Sequence, residues 1–170
     1  DWVILSAANS AVGSYLLPLA KAREIKVVFV VRRESVVAAL KDAGADVVLV
    51  DGPDLAERVR EATGVAMKLA IDAVAGETFG RLAETLETAG TLVLYGGMSG
   101  EPASLDISSL IFNDIRVRGF WLVNWFRQTS PADQIKVYGE LTKAIAQGIL
   151  HAPIDRHFSL DEITEALTYT

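Results

Sequence analysis

The sequence predicts an α/β fold: a doubly wound, six-stranded parallel sheet in strand order 3-2-1-4-5-6, with helices on both faces. Three observations predict it. Short apolar runs rich in β-branched residues alternate with helix-length segments along the chain. The first apolar run passes through a turn of small residues straight into a helix. Finally, 51% of the 170 residues are hydrophobic, as expected when a parallel sheet is buried on both faces.

The elements follow in order. Val3-Ile4-Leu5-Ser6-Ala7 is long enough for a buried strand, Ala8-Asn9-Ser10-Ala11-Val12-Gly13 is turn-prone, and Ser14 to Arg23 reads as a helix. Pro18 lies within that helix and cannot donate to Ser14, so a kink or loosened turn is expected there. Lys26 to Val31 is the second strand. Glu34 to Ala43 is helical and stops at Gly44, a natural C-terminal cap. Asp46 to Val50 is strand three; Asp54 caps a helix running to Ala62, with Gly64 beyond it. Met67 to Ile71 is strand four, ending at Asp72, and Glu77 to Thr88 is a helix closed by Gly90. Thr91 to Tyr95 is strand five. A loop carrying Gly96, Gly97, Gly100 and Pro102 leads to strand six, Ile115 to Leu122. A long helix spans Asp133 to Gln147, and Ser159-Leu160-Asp161-Glu162 is a capping box opening a last helix.

Composition narrows the function. A formal net charge of −6 disfavours a nucleic-acid partner, which asks for a basic face. No cysteine is present, so a thiolate zinc site and a cysteine nucleophile are excluded from this chain. His151 and His157 are too few for a histidine-built metal site and read as structural. No apolar stretch approaches the roughly 18 to 20 residues of a membrane span. The chain opens already inside its first strand, so it reads as a single domain, residues 1–170, excised from a longer protein.

In this topology ligands lie at the carboxyl ends of the strands, in the crevice between strands one and four. The turn after strand one matches the Gly-x-Gly-x-x-Gly fingerprint partially, with Ala8, Ser10 and Gly13 at its glycine positions. The first turn of a helix offers free N–H groups and the positive end of the dipole, which stabilise a phosphate. An ordinary strand-to-helix turn would look similar. After strand two, where an NAD site usually carries an acid, stand Arg32 and Arg33. Guanidinium forks match a phosphate, so this end suits the 2′-phosphate of NADP, although a solvated polar rim would also hold two arginines. Tyr95-Gly96-Gly97-Met98 would let the chain pass close to a flat ring, or form a plain flexible loop. Phe120-Trp121-Leu122 with Trp125 is an aromatic cluster that would also serve as core or subunit contact.

The turn Ala8 to Gly13, Val31-Arg32, Tyr95 to Met98 and above all the block Leu110 to Leu122 resemble the cofactor domain of the medium-chain dehydrogenase/reductase superfamily. Within it the chain is most similar to zinc-independent 2-enoyl thioester reductases of mitochondrial type, with quinone oxidoreductases as near neighbours. The resemblance implies a Rossmann domain that binds NADPH in an enzyme transferring hydride to the double bond of an enoyl thioester. A quinone as substrate, or a nucleotide-binding module without turnover, stays open. It implies that Asn9, Ser10, Ala11, Val12 and Gly13 cradle the pyrophosphate and that Arg32 and Arg33 hold the 2′-phosphate. Tyr95, Gly96, Gly97 and Met98, with Phe120, Trp121 and Leu122, would line the nicotinamide end. The family's catalytic tyrosine belongs to a barrel-like domain, and Tyr15, Tyr95, Tyr138 and Tyr169 do not match it. No catalytic residue is therefore assigned, and this segment alone is expected to be inactive. A homodimer through strand 115–122 is expected, because that strand lies at the sheet edge; a monomer whose edge is covered by a loop from Val123 to Pro131 is the other reading. The expected location is cytoplasmic, or mitochondrial in a eukaryote, with any targeting segment upstream.

Overall fold

The structure, a computed structural model, describes residues 1–151 and 154–169. Its strands are β1 (Trp2–Leu5), β2 (Lys26–Val31), β3 (Val47–Val50), β4 (Met67–Asp72), β5 (Leu86–Leu94) and β6 (Arg116–Gly119). The helices are α1 (Ala11–Lys21), α2 (Val37–Asp42), α3 (Leu55–Thr63), α4 (Gly76–Glu84), α5 (Ile107–Phe112), α6 (Leu122–Gln128), α7 (Pro131–Ala146) and α8 (Ile163–Tyr169). The strands form one sheet in the order β3-β2-β1-β4-β5-β6. Every neighbouring pair is parallel. This is the predicted doubly wound arrangement.

Side-chain alternation along β2 explains the two-layered core. Val28 and Val30 face one side, where they meet Ile4, Met67 and Leu92 under α3 and α4. Val27, Phe29 and Val31 face the other, against Val3 and Leu5 under α1 and α2. A strand buried on both faces cannot show polar alternation, which is why it reads as an unbroken apolar run. Each large aliphatic side chain buried this way contributes roughly 1.5–3 kcal/mol. Asp46 fixes the register of the far edge: its carboxylate accepts from the Val27 N–H at 2.9 Å.

Several boundaries differ from the sequence reading. β1 stops at Leu5: the Ser6 N–H makes the last bond to β4, at the Ile71 carbonyl, and Ala7 then turns the chain with a positive φ of 47°. α1 starts three residues early, at Ala11, and runs unbroken through Pro18. Asp54 precedes α3 with φ 57° and makes no side-chain cap. The turn before α3 is instead held by Arg58, whose guanidinium donates to the carbonyls of Val50 at 2.9 Å and Pro53 at 3.1 Å.

The helix expected to reach Thr88 ends at Glu84, since Leu86 pairs with Met67 and draws the chain into β5. Gly90 thus lies inside a strand and caps nothing; the pairing shifts register there, beside Ala89 at φ 63°. The loops expected before and after β6 contain α5 and α6, and the sixth strand ends at Gly119 rather than Leu122. Ser130 caps α7 by accepting from the Asp133 N–H. The box at Ser159 and Glu162 forms as read, opening the turn that leads into α8.

Gly13 shows the tightest constraint. A Cβ built on it would lie 1.9 Å from the Ala8 carbonyl oxygen, and the obstructing atoms are all backbone. Gly13→Ala should therefore destabilise the protein by about 3 kcal/mol, the upper part of the overpacking range. A matching drop in the urea midpoint at unchanged slope checks this; an unchanged midpoint would mean that α1 can slide away from β1.

Candidate functional site

The sheet puts the ends of five strands side by side, and the turns that follow them wall a cleft of about 390 Å³. Asn9 follows β1, Arg32 and Arg33 follow β2, Asp51 follows β3, and Met98 follows β5; Thr78 closes one side from α4.

At the floor, where β1 and β4 part, Asp72 is fully buried. Its carboxylate accepts from Ser6 Oγ at 2.5 Å and from the N–H groups of Val74 and Ala75, both at 2.9 Å. Ser6 Oγ in turn accepts from the Ala73 N–H at 3.0 Å. The turn after β5 is stitched to the same place by Tyr95 N–H to Asp72 O, Met98 N–H to Ala73 O and Ser99 N–H to Val74 O, each at 2.9 Å. Gly96 is required by that stitching, since a Cβ there would come within 3.0 Å of the Ala73 carbonyl oxygen; Gly97 faces open space. Burial pushes the Tyr95 phenol above its usual range. The hydroxyl of Ser10 opposes that rise and the Asp72 carboxylate adds to it. Tyr95 therefore stays protonated at neutral pH.

At the start of α1, Ser10 Oγ accepts from the Gly13 N–H at 3.3 Å. Ser10 thus caps the helix itself, and the N–H groups left for an anion are those of Ala11 and Val12, which have no acceptor among the described residues. Across the cleft, Arg32 and Arg33 are exposed, and their guanidinium groups make no ion pair or hydrogen bond among the described residues. Asp51 is the one acid in the lining and is fully engaged. Arg81 grips it with Nε to Oδ1 at 2.8 Å and Nη2 to Oδ2 at 2.9 Å, and Thr78 Oγ1 donates to it at 2.5 Å. Burial alone would raise the Asp51 carboxyl, but the Arg81 fork and the Thr78 hydroxyl hold it below its usual range.

Of the residues singled out from sequence, Asn9, Arg32, Arg33 and Met98 line the cleft. Ser10, Ala11, Val12 and Gly13 form the helix start beside it, with the Val12 side chain turned to an apolar groove on the far side of α1. Tyr95 packs against the core layer under α1 and α2. Phe120, Trp121 and Leu122 lie outside the cleft, beyond the end of β6. Phe120 donates to the Leu94 carbonyl, Trp121 stacks under Arg127, and Leu122 opens α6. His151 and His157 are exposed. Sequence reading missed Ser6, Asp51, Thr78 and Arg81. Only Asp51 carried a signal, as an acid directly after a strand.

The family described as zinc-binding dehydrogenase matches residues 11–137. A mitochondrial enoyl-acyl-carrier-protein reductase of Dictyostelium discoideum is 37% identical over 175 aligned residues, covering 98% of this chain and 49% of that protein. The chain spans about half the length of the curated relatives it matches. Among solved structures, the mitochondrial 2-enoyl thioester reductase heterodimer Etr1p/Etr2p of Candida tropicalis superposes with a TM-score of 0.81. It is 26% identical, covering 99% of this chain and 51% of that one. An Etr1p mutant in complex with NADP and crotonyl-CoA gives 0.80 at 26% identity, with the same coverage. The residues here do not fit a zinc site: there is no cysteine, and the described residues hold no group of three or more metal-ligating side chains.

The Asp72 network generates a stability prediction. Asp72→Ala leaves one hydroxyl and two N–H donors buried without an acceptor, at about 1–3 kcal/mol each. The expected loss is roughly 3 kcal/mol or more, with Asp72→Asn losing less because one acceptor oxygen survives. Urea denaturation of the two variants side by side checks the order.

Proposed function

The chain belongs to the zinc-binding dehydrogenase family of the medium-chain dehydrogenase/reductase superfamily, and from that premise we propose that it is the NADPH-binding domain of an enoyl thioester reductase. The observation that carries the cofactor assignment is the pair of unpaired guanidinium groups, Arg32 and Arg33, on a cleft whose one acid is already neutralised. Bound there, the reduced cofactor would supply hydride to the substrate. Ala11 and Val12 would hold its pyrophosphate through their N–H groups. Asn9, Ser10 and Gly13 would shape that turn, and Arg32 with Arg33 would hold the 2′-phosphate. Tyr95, Gly96, Gly97 and Met98, with Phe120, Trp121 and Leu122, would border the nicotinamide end. Gly97 and the exposed Met98 leave room there for a flat ring. The likeness to mitochondrial reductases, one of them with NADP and crotonyl-CoA, supports the enoyl thioester as substrate.

The proton donor lies outside these 170 residues on this reading, so turnover belongs to a longer protein with a second, substrate-binding domain. Its location is cytoplasmic, or mitochondrial in a eukaryote as the curated relatives are named. No helix among the described residues is long and apolar enough to cross a membrane.

The activity is tested with the full-length protein, NADPH and a short trans-2-enoyl thioester, following the loss of reduced-nicotinamide absorbance. Turnover with a quinone and none with the thioester would transfer the assignment to the neighbouring class. For the cofactor, NADPH should bind more tightly than NADH. Each charge-assisted bond to the 2′-phosphate is worth about 1.5–3 kcal/mol, so replacing both arginines should weaken NADPH roughly tenfold or more per bond removed, with little change for NADH. Equal affinities before mutation would defeat the assignment.

The same reading makes the protein a homodimer through the edge strand β6. Phe120 N–H donates inward to Leu94, so by strand alternation the Val117 and Gly119 N–H groups face outward, free to pair with a second copy. The heterodimer of the Candida tropicalis relative supports pairing of this kind. Val117→Pro removes an outward donor and should convert the dimer to a monomer in sedimentation. A dimer that survives it is built on another surface.

A further inference from the structure

Asp51, Thr78 and Arg81 form a cluster that the cofactor assignment leaves unused. Asp51 and Thr78 line the same cleft as Arg32 and Arg33, whereas Arg81 reaches Asp51 from behind. The Asp51 side chain is 16% exposed and that of Arg81 23%, so the pair is shielded well enough for its charges to matter. Arg81 is braced by a second bond to Glu77 Oε2 at 2.9 Å, one helical turn back along α4. Asp51 thus presents both oxygens to Arg81 and one of them also to Thr78.

A free carboxylate after β3 would do two things in such a cleft. It would repel a phosphate bound by Arg32 and Arg33, and it would accept hydrogen bonds from a ribose that lacks one. Both effects favour the unphosphorylated cofactor. Resting on the NADPH reading above, we propose that Arg81 is a specificity-determining positioning residue, which acts through Asp51 by withdrawing its carboxylate and thereby tunes the cleft to a 2′-phosphorylated dinucleotide. Thr78 takes part by donating a further hydrogen bond to Oδ2, one of the two oxygens that Arg81 holds.

The test measures NADPH and NADH dissociation constants in the full-length protein at low salt. Arg81→Met should weaken NADPH by about tenfold, as expected for an anion set beside an unmasked carboxylate, and leave NADH unchanged or tighter. Adding Asp51→Asn to that variant should restore NADPH binding, a rescue that damage to α4 would not produce. An unchanged NADPH-to-NADH ratio in folded Arg81→Met overturns the proposal. If Arg81→Met fails to fold, Asp51→Asn alone decides. It removes the carboxylate from the lining and leaves Arg81 behind it opposed only by the exposed Glu77, which should shift the ratio further toward NADPH, and no shift overturns the proposal. The two readings fail differently. Loss of preference on replacing Arg32 and Arg33, with no effect at Arg81, removes only this inference. Absence of any preference in the unmutated protein removes both.

Discussion

The buried carboxylate of Asp72 ties together the two turns that follow β1 and β4, where the halves of the sheet diverge. From β1 the chain winds outward to β2 and β3, and from β4 it winds the other way to β5 and β6. Helices cover opposite faces of the two halves, so nothing regular bridges the gap between the turns after β1 and β4. Asp72 bridges it with a side chain, taking the Ser6 hydroxyl from one turn and two amides from the other. Both turns are strained. Ala7 has φ 47°, and Ala75 has φ 64° with ψ −150°, a region that glycine normally occupies. Such conformations cost about 1–3 kcal/mol each and persist only where the surroundings over-determine them. The hydrogen bonds to one charged group, made away from water, provide that determination, and the cleft opens directly above them.

The charges around the cleft are sorted by the same logic. The chain as a whole is acidic, with a formal net charge of −6, yet the acids that reach this region are consumed within the protein. Asp72 is satisfied by a hydroxyl and by backbone amides, and Asp51 by a guanidinium and a hydroxyl. The cations Arg32 and Arg33 are left without partners among the described residues. A net-negative chain therefore presents a locally positive mouth at the end of β2, and whole-chain charge gives no warning of it. A paired carboxylate projects little field, whereas a guanidinium without a partner projects more of its own.

Beyond this site the surface changes character. Ile111, Phe112, Trp121 and Leu122, around α5, β6 and α6, are all at least half exposed or nearly so. That is a larger apolar area than scattered surface residues account for. It lies at the edge of the sheet where the strand offers open N–H groups, so backbone and side chains there are suited to the same partner.

The sequence by itself determined the sheet, its strand order and the end of it where the cleft opens. These follow from hydrophobic periodicity, right-handed crossovers and a turn of small residues, all of which are local or topological. It also determined that Gly13 stands at the last glycine position of the turn and that Arg32 and Arg33 stand at the end of the second strand. Tertiary structure decided what depended on distant partners. β5 begins at Leu86 because Met67 pairs with it, overriding a helical pattern that ran on to Thr88. Asp51 is masked because Arg81, thirty positions away along the chain, folds back onto it. Ser6 and Asp72 meet across 66 positions, in a contact that neither stretch announces. Periodicity reports which face of an element is buried, but a hydrogen bond between two turns is set by where the finished sheet places their ends.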